Sequence, residues 1–128
     1  MELTQGVRFD TLELSPELLR ALLERNIVQS TPVQAGCIPP MLEWRDVIAK
    51  APTGTGKTFA YGIPIVEHID PEDESVQAVI LAPTRELAIQ ITDELRLLYT
   101  YKPGIRAVCL YGGAPIGRQI DALKKHPQ

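Results

Sequence analysis

Eight consecutive residues, Ala51-Pro52-Thr53-Gly54-Thr55-Gly56-Lys57-Thr58, carry the types that polyphosphate chemistry requires. A polyphosphate needs several backbone N–H donors converging on one point, with the positive end of a helix behind them. Gly54 and Gly56 permit that curl, because a residue without Cβ adopts left-handed backbone angles and lets the main chain approach the oxygens. Lys57 supplies a point charge for the β and γ phosphates, and the Thr58 hydroxyl is a hard oxygen ligand suited to Mg²⁺. The spacing matches G-x-x-x-x-G-K-[ST] except at its first position, where Ala51 stands for Gly. A plain Gly-rich turn with an exposed Lys explains the glycines. It does not explain why they lie between the apolar run 47–49 and the apolar stretch 59–69, which is the strand-then-helix context a phosphate loop needs.

The elements that must position this loop follow from periodicity and punctuation. Ser15 is an N-cap candidate, Pro16 suits the first helical position, and Leu18, Leu22 and Leu19, Leu23 repeat at helical spacing, so a first helix is expected to reach about Arg25. Thr31-Pro32-Val33-Gln34 repeats the start signal and opens a second helix, expected to end near Leu42 before the loop Glu43-Trp44-Arg45-Asp46. Residues 47–50 read as a core strand, and a helix is expected from Lys57, bent by Gly62 and Pro64. The acidic breaker Asp70-Pro71-Glu72-Asp73-Glu74-Ser75 reads as an exposed connection, and residues 76–82 as a strand covered on both faces. Leu87, Ile91, Leu95 and Leu98 form one stripe on a helix that stops before Pro103-Gly104. Residues 105–111 read as a third strand, Gly112-Gly113 as a turn, and Ile116, Ile120 and Leu123 outline a last helix.

Two helices followed by three strand–helix units imply an α/β fold with a parallel sheet, right-handed crossovers and ligands at the carboxyl ends of the strands. The loops 51–58, 83–86 and 111–115 each follow an expected strand and open a helix, so they are expected to share one rim.

With 128 residues, 45% hydrophobic and 23% charged, the chain reads as one globular unit able to bury about two-thirds of its unfolded surface. No apolar run approaches the ~20 residues of a membrane span, and Met1-Glu2-Leu3-Thr4-Gln5 lacks the basic and apolar regions of a signal peptide. The expected location is intracellular, cytoplasmic before nuclear, with no membrane partner. Cys37 and Cys109 show no metal or C-x-x-C spacing and read as reduced thiols. The net charge of −3 is uneven: residues 1–95 hold seven basic and fifteen acidic residues, whereas 96–128 hold six basic and one acidic. A basic end suits a polyanion partner but equally makes an ordinary solvated surface.

Four blocks in order resemble the DEAD-box RNA helicases, ATP-dependent RNA-unwinding enzymes built from two RecA-like domains. Phe9 upstream of Ser30-Thr31-Pro32-Val33-Gln34 resembles the family's adenine-reading Q motif, residues 51–58 resemble its A-x-T-G-x-G-K-T, Pro83-Thr84-Arg85-Glu86-Leu87-Ala88 reproduces its P-T-R-E-L-A, and Gly112-Gly113 resembles its G-G loop. The resemblance implies that Gln34 reads the adenine edge with paired hydrogen bonds, so that ATP is the nucleotide. It implies that Phe9 packs near the base, although a lone Phe before a helix serves equally as a hydrophobic staple. The sequence departs from the pattern at Asn26, Ile27 and Ser30, where Gly, an aromatic and Pro are usual. It further implies that Ala51 to Thr58 hold the phosphates, with Lys57 and Thr58 catalytic and Thr58 on Mg²⁺. RNA is then held through its backbone by Pro83, Thr84, Arg85, Gly112 and Gly113, with Gln119 as an additional member. Such contacts carry no base sequence information and make binding salt-sensitive and dependent on the 2′-OH.

The implied domain is the N-terminal part of the first RecA-like domain, with residues 1–45 as a helical extension and 46–128 as the phosphate-loop core. Hydrolysis also needs a carboxylate at a strand end to hold Mg²⁺ and orient water. None of the expected strands ends in Asp or Glu, Asp121 lies in a helical pattern, and the family's T-P-G-R, D-E-A-D and S-A-T blocks and second domain are absent. Three readings stay open: part of an ATP-dependent RNA helicase that is not itself hydrolytic, a binding module for ATP or RNA, and an unrelated phosphate-loop kinase or ATPase. In the first, the strands missing from between residues 47–50 and 76–82 leave open edges, from which self-association or rearrangement is expected.

Overall fold

Ser15, Thr31 and Thr84 each stand in extended backbone and accept a hydrogen bond from the amide three residues on, and a helix begins after each. These are α1 (Pro16–Leu23), α2 (Pro32–Leu42) and, beyond α3 (Lys57–His68), α4 (Arg85–Leu98); a shorter α5 spans Ile116–Leu123. The computed structural model describes residues 5–128, so Met1 to Thr4, on which the no-leader reading rests, lie outside the described residues. No helix among the described residues is long and apolar enough to cross a membrane.

α3 packs on both α2 and α4, and α1 packs on α4. Their apolar faces meet in a core of Phe9, Leu14, Leu18, Leu22, Ile38, Ile63, Val66, Ile91, Leu95 and Leu98. The stripe expected on α4 therefore points inward as its spacing required. Gly62 lets α3 and α4 close, since a Cβ there would lie 3.1 Å from Leu98 and 3.2 Å from Leu95. α3 is continuous through Gly62 and Pro64. Its last carbonyls are held by Lys102, whose Nζ donates to Val66 O at 2.7 Å and Ile69 O at 2.9 Å. Glu67 accepts from the Ser15 N–H at 3.0 Å and hydroxyl at 2.6 Å, tying the start of α1 to α3.

The expected parallel sheet is not formed. Residues 47–50, 76–82 and 105–111 form neither helix nor ladder, and among the described residues the only β pairing is an isolated antiparallel bridge between Arg8 and Gln29. A strand exists through its neighbour's hydrogen bonds, and no described segment runs alongside these three to supply a ladder. Between the second and third, the backbone of Gln128 alone makes the connection: its carbonyl accepts from Gln77 and Ala78 at 2.7 and 3.1 Å, and its N–H donates to Arg106 O at 3.1 Å. Residues expected to be covered are accordingly open, with Ile48 at 103%, Leu81 at 90% and Val79 at 75% exposure. An apolar cavity of about 430 Å³ lies between residues 76–82, residues 105–110, α3 and α4.

Candidate nucleotide and nucleic-acid site

In the loop 51–58 the two glycines adopt the conformation that their lack of Cβ allows, with φ of +83° at Gly54 and +81° at Gly56. The Thr55 hydroxyl donates to Pro52 O at 2.6 Å and draws the loop into a compact turn. Gly56 is the N-cap of α3 and offers no side chain, so the first-turn amides of α3 are not capped from within the loop. The first bond back to it is Ala60 N–H to Gly56 O at 3.3 Å. Ala51, Thr55 and Thr58 are half-buried, whereas Pro52, Thr53, Gly54 and Lys57 are exposed. The exposed Lys57 thus stands at the uncapped start of α3, where an anion is favoured. Burial pushes the Tyr61 hydroxyl pKa up, an effect opposed by the Thr58 side chain beside it and reinforced by the Glu94 carboxylate.

Gln34 does more than the sequence reading assigned to it. It is 4% exposed, and its Oε1 accepts from the Thr31 N–H at 2.9 Å while its own N–H donates to Thr31 Oγ1 at 3.4 Å, closing a capping box on α2. Its Nε2 donates to Gly56 O at 3.0 Å, joining the start of α2 to the turn of the phosphate loop. The T-x-x-Q spacing was the available signal for the first role; nothing local signals the second. Phe9, open to both a place near the base and a staple to the core, is 2% exposed and packs in the helical core. Ile27, where the family pattern has an aromatic, packs against the same core. Ser30 closes the N-terminal segment, its hydroxyl accepting from Val7 N–H at 2.9 Å.

The second and third loops do meet. Pro83, Thr84, Arg85, Tyr111 and Gly112 line one cleft of about 520 Å³. A Cβ on Gly113, whose φ is +89°, would come to 3.2 Å from Arg85 Nη1, so the guanidinium lies against that backbone. Gly112 has open space around it. Arg85 is 3.3 Å from Glu86 through an exposed pair that holds it weakly. Thr84 caps α4 through the Leu87 N–H at 3.2 Å and keeps its hydroxyl hydrogen free to donate. Gln119 is not among the residues lining the cleft; its carboxamide bonds to the backbone of Tyr111 and Ala114. Among the described residues no group of three or more His, Cys, Asp or Glu could hold a metal.

Comparison with known proteins bears on this arrangement. The ATP-dependent RNA helicase CshA of Limosilactobacillus reuteri is 49% identical over 122 residues, which are 95% of this chain and 24% of that protein. The DEAD-box ATP-dependent RNA helicase CshA of Bacillus subtilis (strain 168) is 48% identical over 125 residues, again 94% of this chain and 24% of the relative. The chain thus spans about a quarter of the length of the curated relatives it matches. Among solved structures, a DEAD box protein from the hyperthermophile Methanococcus jannaschii superposes with a TM-score of 0.89 at 36% identity, covering 97% of this chain and 34% of the other. The family model for the DEAD/DEAH box helicases matches residues 31–128, from the Thr31 cap through the phosphate loop to the segment beyond α5, and the chain belongs to that family.

Proposed function

We propose that this chain is the N-terminal part of the first RecA-like domain of an ATP-dependent RNA helicase, binding ATP and Mg²⁺ at residues 51–58 and RNA at the cleft between α4 and the Gly112-Gly113 loop. The observation that carries the nucleotide site is the turn in which Gly54 and Gly56 take left-handed angles and open onto the uncapped start of α3. Residues 1–45 form its helical extension and 46–128 its phosphate-loop core, the two sharing one apolar core.

Lys57 bonds the β and γ phosphates, the amides of the turn converge on them, and Thr58 presents its hydroxyl to the metal. Bound Mg²⁺ would neutralise phosphate charge and polarise the reacting oxygen. For adenine, Gln34 retains one Nε2 hydrogen and one Oε1 lone pair beyond its bonds to Gly56 and Thr31. Those two are what a paired contact with the base edge needs. Arg85, Thr84 and the backbone of Gly112 and Gly113 hold the RNA backbone, which is common to every sequence. The same reading includes an intracellular location, association with a second RecA-like domain, and self-association of this length of chain.

Lys57→Ala removes the one cation aimed at the phosphates and is expected to weaken a fluorescent ATP analogue by about tenfold or more. Equal binding by variant and parent excludes the loop as a phosphate site. RNA-stimulated phosphate release, measured on this chain and on a longer one, separates the enzyme part from the binding module.

A further inference from the structure

Gln119 lies near the start of α5, and a helical side chain leans back over the turn before it, here toward Tyr111 and Ala114. Its Oε1 accepts from the Tyr111 N–H at 3.0 Å, and its Nε2 donates to Tyr111 O at 3.2 Å and to Ala114 O at 3.3 Å. The carboxamide therefore does for Tyr111 what a neighbouring strand would do, satisfying both its backbone groups where residues 105–111 have no ladder. It also grips the two residues that flank Gly112 and Gly113. Both Nε2 hydrogens are engaged, and what remains is an acceptor lone pair, which has nothing to offer the acceptor oxygens of a phosphodiester.

We propose that Gln119 is a positioning residue for the RNA-backbone contact: it fixes the Gly112-Gly113 turn against Arg85 and donates to no phosphate. The inference rests on the reading of that cleft as the RNA site. Gly113 holds a φ of +89° beside Arg85 Nη1, and Gly112 stands open, so the turn presents backbone to solvent only in the shape its two ends impose. α5 has no side-chain cap to hold that shape from the other side.

The test uses the whole chain with Gln119→Ala and the isosteric Gln119→Glu, which keeps an acceptor for the Tyr111 N–H but sets a carboxylate against two carbonyls. Amide exchange at Tyr111, without RNA, is expected to accelerate in both variants, and affinity for a fluorescent single-stranded oligoribonucleotide to fall about five- to tenfold. Binding of the fluorescent ATP analogue should stay within about twofold of the parent, a split that general loss of structure would not produce. Because the turn is placed against Arg85, part of the loss is shared, and the double variant should cost less than the sum of Gln119→Ala and Arg85→Ala. Unchanged Tyr111 exchange, or fully additive losses, overturns the positioning role while leaving the RNA reading in place. A parent chain that binds no RNA overturns the RNA reading and this inference with it.

Discussion

Gly56 meets two requirements at once. Its φ of +81° favours a residue without Cβ, and a Cβ built there would come to 2.3 Å from Gln34 Nε2. Gly56→Ala is therefore expected to cost about 1–2 kcal/mol for the backbone alone. It should also displace the carboxamide that tethers the loop to α2, lowering nucleotide affinity as well as the melting temperature. Gly54 has a similar φ of +83° but nothing within 4 Å, so Gly54→Ala should show the backbone cost alone. Melting curves with parallel nucleotide titrations distinguish the two; equal effects at both positions would mean that the Gln34 contact contributes nothing. Cys37, buried and with its thiol pKa raised by that burial, has no part in this chemistry.

At the scale of elements, the start of α4 carries the RNA reading. Its first turn brings Thr84 and Arg85 to the cleft that the Gly112 turn closes from the other side. Neither group reaches toward a base edge by design of type: one is an uncapped hydroxyl hydrogen, the other a guanidinium beside glycine backbone. Arg85→Ala is accordingly expected to weaken unrelated single strands about equally and to flatten the dependence of affinity on salt, by about one unit of slope or less for one lost phosphate contact. Fluorescence anisotropy across several sequences and salt concentrations checks this. A strong preference among unrelated sequences in the parent chain would count against a backbone-reading cleft.

For the whole molecule, the open question is what covers the segments expected as strands. Val76, Val79 and Leu81 stand exposed at 65%, 75% and 90%, beside an apolar cavity of about 430 Å³. An exposed apolar edge with free backbone donors and acceptors is a template for another chain. The isolated 128 residues are expected to self-associate or rearrange at micromolar concentration, which light scattering with hydrogen exchange would detect. A protected monomer with one cooperative transition would sink that expectation.

The sequence by itself determined the helix starts and the glycine-rich turn before α3, because both are local. Ser15, Thr31 and Thr84 act on amides three residues away, and the residues from Gly54 to Thr58 carry their geometry within one turn. It likewise determined the α4 stripe, whose inward face is a matter of period. Only the tertiary structure decided the rest. Residues 76–82 and 105–111 have the composition of strands, but a strand is a relation between segments, and among the described residues their backbones are joined only through Gln128. Phe9, Gln34 and Gln119 all read as ligand contacts from their places in motifs. Their partners, the helical core, Gly56 and Tyr111, show why side-chain roles escape linear reading: Phe9 and Gln34 are placed by residues distant in the chain, and Gln119 by a turn whose shape spacing does not specify.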